Sequence, residues 1–200
     1  MIARPNNWNE VKEFSERRKL DINAAVAKVK QAVVKSTDYG DQLCILFDIA
    51  EGDYAGFYKE DFDRQMPKPG EEKKWKGLLR LFLPTNDGSE KDEWTKSTLK
   101  GMATAFEKSN PGYQWNWDEK SLAGKLIGIL FRDEEWEWNG KAGWAKRPFR
   151  AISVESVREG SFTVPNKKAL NRETNIGYTA GYSEPNTFAT VDDPDEELPF

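Results

Sequence analysis

The residues with the clearest chemistry lie in the stretch Gly124–Val154, where aromatic and charged side chains alternate. Strand alternation would place Trp136 and Trp138 on one side and Glu135 and Glu137 on the other. The second half of the stretch adds further rings and cations: Trp144, Phe149, Lys146, Arg147 and Arg150. Aromatic rings can stack on nucleic-acid bases at ~1–3 kcal/mol each, while Lys and Arg contact the phosphates. The pattern is typical of a surface that binds single-stranded nucleic acid.

The same rings are compatible with a plain structural role. Trp and Phe on strands more often pack in a core or across a strand pair than they bind a ligand. Glu134, Glu135 and Glu137 would also repel a phosphate. Taken alone, the hairpin favours packing, so a binding role depends on the rest of the chain.

The composition excludes much enzyme chemistry. The chain of 200 residues contains no histidine and one cysteine, Cys44, which lies in an apolar run typical of a buried strand. Zinc sites, Ser-His-Asp triads and Cys-His nucleophiles cannot be assembled from it. Carboxylate-held Mg²⁺ is still available, but we find neither a Gly-rich phosphate loop nor acids and lysines at nuclease spacing. We therefore expect no catalysis, no metal and no cofactor, and a carboxylate-metal nuclease ranks third among the hypotheses.

The charge is unevenly distributed. The net charge is -4, yet residues 184–200 contain six acids and no base. Removing those six from the 34 acids leaves 28 against 30 bases, so residues 1–183 carry +2 and the remainder -6. A mildly basic body beside an acidic segment suggests polyanion binding with an interaction tail, although charge runs are often merely solvated.

Hydrophobic periodicity gives the order of the elements. Alternating or continuous apolar residues predict strands over Ala24–Ser36, Gln42–Ile49 and Lys73–Pro84, the first two forming a hairpin. Helical spacing predicts an inserted helix over Asp53–Arg64 and a longer one that Asp92 caps and that ends at Ser109. The stripe of the longer helix consists of Leu99, Met102, Ala103 and Phe106.

The stretch Gly124–Val154 completes the set as a long β-hairpin. Asn139-Gly140 marks its turn, and Lys141, Ala142 and Gly143 make the predicted loop longer than two residues. A five-stranded barrel with a helix between its third and fourth strands is the OB-fold, and the competing architecture is a generic antiparallel α+β sheet. We predict the OB-fold, with mainly β structure and some α.

Three regions follow from this order. Residues 1–23 form a helical extension around a short helix at Trp8–Arg18, residues 24–165 the nucleic-acid-binding domain, and residues 166–200 a flexible acidic tail. No apolar run reaches membrane-spanning length and the N-terminal residues are polar, so we expect a cytoplasmic protein that does not bind membranes.

The acidic segment carries a resemblance. Asp192–Phe200 reads DDPDEELPF and resembles the C-terminal tip of bacterial single-stranded DNA-binding proteins. The run GKLIGILFRDEEWEWNGKAGWAKRPF, with the strand pair before it, resembles the phage-encoded single-stranded DNA-binding proteins, a viral OB-fold group; the similarity covers roughly Ala24–Val164. It implies a protein that coats single-stranded DNA in phage replication or recombination, in the cytoplasm of a bacterial host.

The resemblance also implies a partner-binding tip that recruits replication, recombination or repair proteins of host or phage. The tip residues are Asp192, Asp193, Asp195, Glu196, Glu197, Leu198, Pro199 and Phe200. An apolar pair, a proline and an anionic lead-in are features that a basic pocket can bind together.

For DNA binding we expect cations on phosphates and rings on bases. The candidates are Lys28, Lys30, Lys74, Lys76, Arg80, Arg132, Trp136, Trp138, Lys141, Trp144, Lys146, Arg147, Phe149 and Arg150. The alternative is a protein-interaction adaptor of the replication and repair machinery that binds DNA weakly or not at all. The sequence leaves a homodimer open.

Overall fold

The computed structural model describes residues 3–11 and 18–170, which form a mainly β structure with a few helices. In chain order the elements are β1 (Ala24–Thr37), β2 (Gly40–Ile49), α1 (Phe57–Arg64), β3 (Leu78–Phe82), α2 (Glu90–Ser109), a 3-10 turn (Glu119–Leu122), β4 (Leu126–Trp138), β5 (Lys141–Ile152) and α3 (Val154–Glu159). The strands form one antiparallel sheet of order β3-β2-β1-β4-β5. The predicted order of five strands, with helices after the second and third, is confirmed.

The sheet is open in its hydrogen bonding. Its outermost strands, β3 and β5, contact each other, but no ladder joins them within the described residues. A bulge at Lys30 interrupts the register between β1 and β2, and a second bulge at Phe149 interrupts β4 and β5. Because a bulge bends its strand and increases the local twist, both irregularities favour a curved sheet.

One face of the sheet and α2 enclose the hydrophobic core. On this face Ala27 and Val29 of β1 pair with Ile49 and Phe47 of β2, and all four are buried. The helix contributes Leu99, Met102, Ala105 and Phe106. Ala105 thus takes the place in the stripe that the sequence assigned to Ala103. Since full burial of a large apolar side chain contributes ~1.5–3 kcal/mol, this packing is a major source of stability.

The third strand is shorter than predicted. The residues before Leu78 make isolated hydrogen bonds instead of a regular ladder with β2. The Gln65 side-chain amide donates to the carbonyl of Lys74 (2.7 Å) and accepts from its N–H (2.8 Å). The indole N–H of Trp75 donates to the carbonyl of Phe47 at 3.0 Å. The strand ladder therefore begins at Leu78 instead of Lys73.

The predicted cap of α2 is wrong by three residues. Ser89 is the N-cap, and its hydroxyl accepts from the N–H of Asp92 at 3.1 Å. Asp92 lies in the first turn, where its buried carboxylate accepts from the N–H groups of Asn86 (2.9 Å) and Gly88 (3.3 Å). The acid fastens the preceding loop to the helix, a role that a single-residue capping rule does not anticipate.

The predicted hairpin is present, but its loop has two residues. β4 ends at Trp138 and β5 begins at Lys141, so Lys141, Ala142 and Gly143 belong to the strand. Asn139 and Gly140 have φ values of 48° and 71°. Positive φ at both central residues defines a type I′ turn, whose twist matches that of the flanking strands.

The helix α3 has no counterpart in the prediction. Ser153 caps it with a hydroxyl that accepts from the N–H of Ser156 at 3.1 Å. It packs on the sheet face opposite α2, where a Cβ on Gly128 would stand 2.6 Å from a methyl carbon of Val157. The absence of a side chain at Gly128 therefore allows the close approach of α3 to β4.

The two ends of the chain are only partly described. Residues 7–11 form a turn, and the rest of the predicted helix Trp8–Arg18 falls mainly outside the described residues. The acidic segment from residue 171 onward also lies outside them. Among the residues that are described, no helix combines the length and apolar character needed to cross a membrane.

Candidate nucleic-acid interface

The outer part of the β4–β5 hairpin extends beyond the sheet. β1 pairs with β4 only from Leu126 to Leu130, whereas β4 and β5 remain paired as far as Trp138 and Lys141. We call Arg132–Trp138 and Lys141–Arg147 the hairpin arm. It carries half of the residues that the sequence analysis selected for DNA binding, including three of the four rings.

One face of the arm exposes two indole rings. Trp136 and Trp138 share this face because they are two residues apart on one strand. Trp136 is 39% exposed and lies flat over Gly143, where a Cβ would meet its ring at 3.0–3.2 Å. Trp138 is 70% exposed and pairs across the ladder with Lys141. Trp136 therefore packs on the partner strand, while Trp138 is open to a ligand.

Trp144 lies on the opposite face. It pairs with Glu135 across the ladder, so the alternation that brings Trp136 and Trp138 together puts Trp144 behind them. Its ring is 48% exposed, and the Nζ atom of Lys167 lies 5.3 Å from its centroid. The three predicted stacking rings are thus divided between two faces.

Phe149 lies between two arginines. The guanidinium carbon of Arg132 is 4.3 Å from the centroid of its half-buried ring, and that of Arg150 is 5.2 Å away. A ring held between two guanidinium groups supports both by cation–π attraction. Phe149 therefore contacts two of the predicted cations with its half-buried ring.

Several predicted cations have acidic partners. Arg132 forms an ion pair with Glu134, Lys146 with Asp133 at 3.1 Å, and Lys76 with Asp61 at 3.0 Å. Lys146 also donates to the side-chain oxygen of Asn23 at 2.8 Å. These pairs reduce the positive charge available to a phosphate.

Asp133 is the anion at the base of the arm. Burial raises its pKa, but the hydrogen bond and charge of Lys146, with the charge of Lys167 at 3.4 Å, hold that pKa below its ordinary value. The carboxylate is therefore ionised at neutral pH and neutralises part of the local positive charge.

Four other predicted cations have no ion-pair partner within the described part of the chain. On the arm these are Lys141 and Arg147, and on the sheet Lys28 and Arg80, all four exposed. Lys30 lies over the ring of Trp75, with its Nζ atom 4.3 Å from the centroid. The backbone of Lys74 is held by Gln65, and its side chain is exposed.

Two arginines face each other at the base of the arm. Arg132 and Arg147 are directly paired in the ladder, and like charges in that arrangement destabilise a hairpin. Glu134 compensates Arg132 alone. A bound anion beside Arg147 would relieve the remaining repulsion.

The predicted cations form two groups. One group lies on the arm and on the rest of β5. The other group lies on β1, on β3 and in the loop just before β3. Contact between β3 and β5 places Arg80 on the strand next to the one that carries Arg147 and Arg150. Lys28 and Lys30 lie on β1, in the middle of the sheet order.

The edge of the arm is occupied by a later segment of the chain. Lys168 accepts from the N–H of Glu135 and donates to the carbonyl of Asp133, both at 2.9 Å, in a parallel bridge to β4. The N–H of Leu170 donates to the Glu135 carboxylate at 3.1 Å. The first residues of the predicted tail therefore lie along β4, and the predicted tip Asp192–Phe200 is outside the described residues.

A second group of rings was not among the predicted site residues. The loop before β4 carries Trp115 and Trp117, whose ring centroids are 4.9 Å apart, and Tyr113 under the Nζ atom of Lys125. Two tryptophans separated by one residue in a polar loop were the available signal.

The described residues contain no group of His, Cys, Asp and Glu that could hold a metal ion. Comparison with known families and with curated proteins gives no match: no family model fits the chain, and no curated protein is significantly similar in sequence.

Proposed function

We propose that this protein binds single-stranded DNA without catalysing a reaction. The observation that supports the proposal best is the hairpin arm, where the open ring of Trp138 is paired with Lys141 at the tip and Arg147 lies at the base. Neither cation has an acidic partner among the described residues. Bases stack on such a ring whatever their sequence, and the cations neutralise adjacent phosphates.

The fold we propose for this function is the OB-fold. The strand order β3-β2-β1-β4-β5, the contact between β3 and β5, and the helix between β3 and β4 all support it. An OB barrel binds oligonucleotides with its strands and the loops at its hairpin tips. The arm is the β4–β5 hairpin of that arrangement, extended by several residues.

The biological setting follows from the resemblance to phage single-stranded DNA-binding proteins. The protein would coat single strands during phage replication or recombination in a bacterial host. Its acidic segment Asp192–Phe200 would bind enzymes that process the DNA, through Leu198, Pro199 and Phe200 and the acids before them.

The test is a titration of fluorescently labelled oligo(dT) with the full chain, monitored by anisotropy. Unlabelled RNA and duplex DNA serve as competitors, and Mg²⁺ is added in a parallel series. We expect saturable binding to single strands, no dependence on Mg²⁺ and intact DNA afterwards. Absence of binding at low salt would contradict the proposal and leave the adaptor function, while shortened DNA would indicate a nuclease.

A variant pair identifies the interface. Trp138→Ala removes the open ring and should weaken binding by ~1–3 kcal/mol without affecting folding. Trp94→Ala is the matched control, because Trp94 lies on α2 with 48% of its side chain exposed. Equal affinities for the two variants would show that the arm does not bind DNA.

A further inference from the structure

The loop between α2 and β4 presents a stacked tryptophan pair. We call Tyr113–Lys125 the tryptophan loop. Trp115 is anchored in it: its indole N–H donates to the carbonyl of Asp118 at 3.1 Å, and its backbone N–H donates to the Glu107 carboxylate at 3.2 Å. Trp117 lies against this ring at an interplanar angle of 35° and is 74% exposed. One ring is fixed, and the other shows its outer face to solvent.

The backbone of Trp117 is strained. Its φ is 68°, in the left-handed region that costs an L-residue with a bulky side chain ~1–2 kcal/mol. Glycine would adopt this conformation without that penalty. A ring that is largely exposed gains little by burial, so the fold alone gives a weak reason for tryptophan here. Residues held in strained backbone conformations cluster at binding and active sites, so the strain at this exposed ring favours a binding role.

Cations lie in the tryptophan loop and on the strand bonded to its end. The Nζ atom of Lys125 is 4.5 Å from the centroid of Tyr113. The backbone of Val29 bonds to this end of the loop, donating to the carbonyl of Lys125 (3.0 Å) and accepting from the N–H of Gly124 (2.9 Å). Val29 lies between Lys28 and Lys30, which are exposed, so the end of the tryptophan loop is bonded to the part of β1 that carries these cations.

The nearby acids are partly engaged in the loop itself. Glu107 accepts from the backbone of Trp115, and the Asp118 carboxylate accepts from the N–H of Lys120 at 3.0 Å. Both carboxylates therefore already accept hydrogen bonds from backbone N–H groups of the loop. The exposed face of Trp117 thus lies in the same loop as Lys125, and Lys28 lies on the strand bonded to the end of that loop. Such a combination suits a base with its flanking phosphates.

We propose that Trp117, supported by Trp115, is a second base-stacking site for single-stranded DNA, and that Lys125 and Lys28 contact the adjoining phosphates. The inference rests on the proposed function and extends it. The tryptophan loop precedes β4 and the hairpin arm ends it. The thirteen residues of β4 run from the end of the tryptophan loop to Trp138 at the tip of the arm, or about 40 Å at ~3.3 Å per residue. One DNA strand that reaches both occupies a longer site than the arm alone.

The decisive variant is Trp117→Gly, tested with oligo(dT) of about 20 nucleotides, longer than the ~16 that one OB domain covers at most. Affinity should fall about 5- to 100-fold, as expected when one base no longer stacks. The Tm should stay level or rise, because relief of the backbone strain offsets the missing packing against Trp115. Trp94→Ala should bind as the wild type does. Wild-type affinity for Trp117→Gly would overturn the inference.

A second measurement does not depend on the stability of that variant. Wild-type protein labelled with 5-fluorotryptophan gives fluorine resonances, and Trp117→Phe identifies the resonance of Trp117 by its disappearance. This resonance should shift when oligo(dT) is added. A resonance that does not move would overturn the inference, and a shift caused only by a protein partner would replace DNA with that partner.

The two proposals fail in different ways. If wild-type protein does not bind oligo(dT), the proposed function is wrong and the second site falls with it. If wild type binds and Trp138→Ala weakens binding, but Trp117→Gly does not, the function stands and only the second site is wrong.

Discussion

At the scale of single residues, two glycines show that the fold requires glycine at some positions and not at others. A Cβ on Gly77 would overlap the carbonyl oxygen of Phe47 and stand 2.7 Å from the ring of Tyr58. A Cβ on Gly101, in the middle of α2, would meet nothing within 4 Å. The first glycine is required by a close approach, whereas the second only lowers the helix propensity.

The matched variants should therefore shift stability in opposite directions. Gly77→Ala should lower the free energy of unfolding by ~1–3 kcal/mol or more, because overpacking displaces Phe47 or Tyr58. Gly101→Ala should raise it by ~0.5–1 kcal/mol, because alanine is the better helix former. Denaturant unfolding followed by circular dichroism measures both. Two changes of the same sign would contradict the packing described around Gly77.

For substitution of Arg147 we predict opposite effects on stability and on DNA binding. Its charge faces Arg132 directly in the ladder. Arg147→Gln should stabilise the protein slightly, by ~0.2–1 kcal/mol, because the like-charge pair is removed. The same variant should weaken binding to oligo(dT). It should also lower the slope of log K against log[salt] by about 0.7, the value expected when one phosphate fewer is neutralised.

The control for this prediction is Lys100→Gln, which removes an exposed positive charge from α2. It changes the net charge equally but lies away from the arm. If both variants lower the salt slope alike, Arg147 acts through overall charge and does not contact a phosphate.

The sequence predicted the alternation of the arm but not which ring is open. Trp136 and Trp138 each have a glutamate before them and a polar residue after them. Trp136 is partly covered because Gly143 stands opposite, and this depends on a register that the two-residue turn determines. Because the loop was predicted to be longer than two residues, the pairing of Trp136 with Gly143 could not be predicted. Exposure of one ring relative to another depends on cross-strand partners, which local periodicity does not specify.

At the scale of elements, the start of α2 is a part of the fold whose stability should depend on pH. The hydrogen bond from Lys96 holds the pKa of Asp92 below its ordinary value; burial opposes this, and the N–H groups of Asn86 and Gly88 reinforce it. Because the native pKa is the lower one, the carboxylate stabilises the fold above the unfolded pKa of ~3.9. That contribution disappears as pH falls through the native pKa.

Asp92→Asn should therefore reduce stability near neutral pH, and the difference from wild type should shrink below about pH 4. Ser89→Ala removes an uncharged cap and should cost ~0.5–2 kcal/mol at every pH. Urea unfolding at about pH 7 and about pH 3 compares them. A difference for Asp92→Asn that stays constant with pH would show that its charge is not what holds the loop.

Element type was more accessible to sequence reasoning than element boundaries. The strands β1 and β2 and the helix α2 have strong periodic patterns, and the structure places them within a few residues of the prediction. β3 begins later than predicted because the side-chain amide of Gln65, directly after α1, bonds to the backbone of Lys74. α3 was missed because six residues are too few for a clear helical period, and its cap and packing on Gly128 are visible only in three dimensions.

At the scale of the whole molecule, the charge is divided between a mildly basic body and an acidic segment. Residues 1–183 carry +2 and residues 184–200 carry -6. The segment Lys167–Leu170, which leads toward the acidic residues, lies along the hairpin arm, with Lys167 over the ring of Trp144 and close to Asp133. An acidic peptide tethered there is held at high effective concentration near the proposed DNA site.

We therefore predict that the acidic segment competes with DNA for the cations of the body. Deletion of Asp192–Phe200 should tighten binding to oligo(dT), on the order of tenfold at low salt. The gain should shrink as salt rises, because the Debye length falls from ~30 Å at 0.01 M to ~8 Å at 0.15 M. Binding isotherms at both salt concentrations provide the measurement.

The matched control is Phe200→Ala, which keeps every side-chain charge of the segment. It should bind oligo(dT) as the wild type does, while failing to capture replication enzymes whose basic pocket accepts an apolar ring. Equal or weaker DNA binding by the deletion would contradict competition. Tighter DNA binding by Phe200→Ala would show that the ring, and not the acids, covers the site. Because competition depends on charge and capture on the ring, the two variants separate the two roles that one segment is proposed to combine.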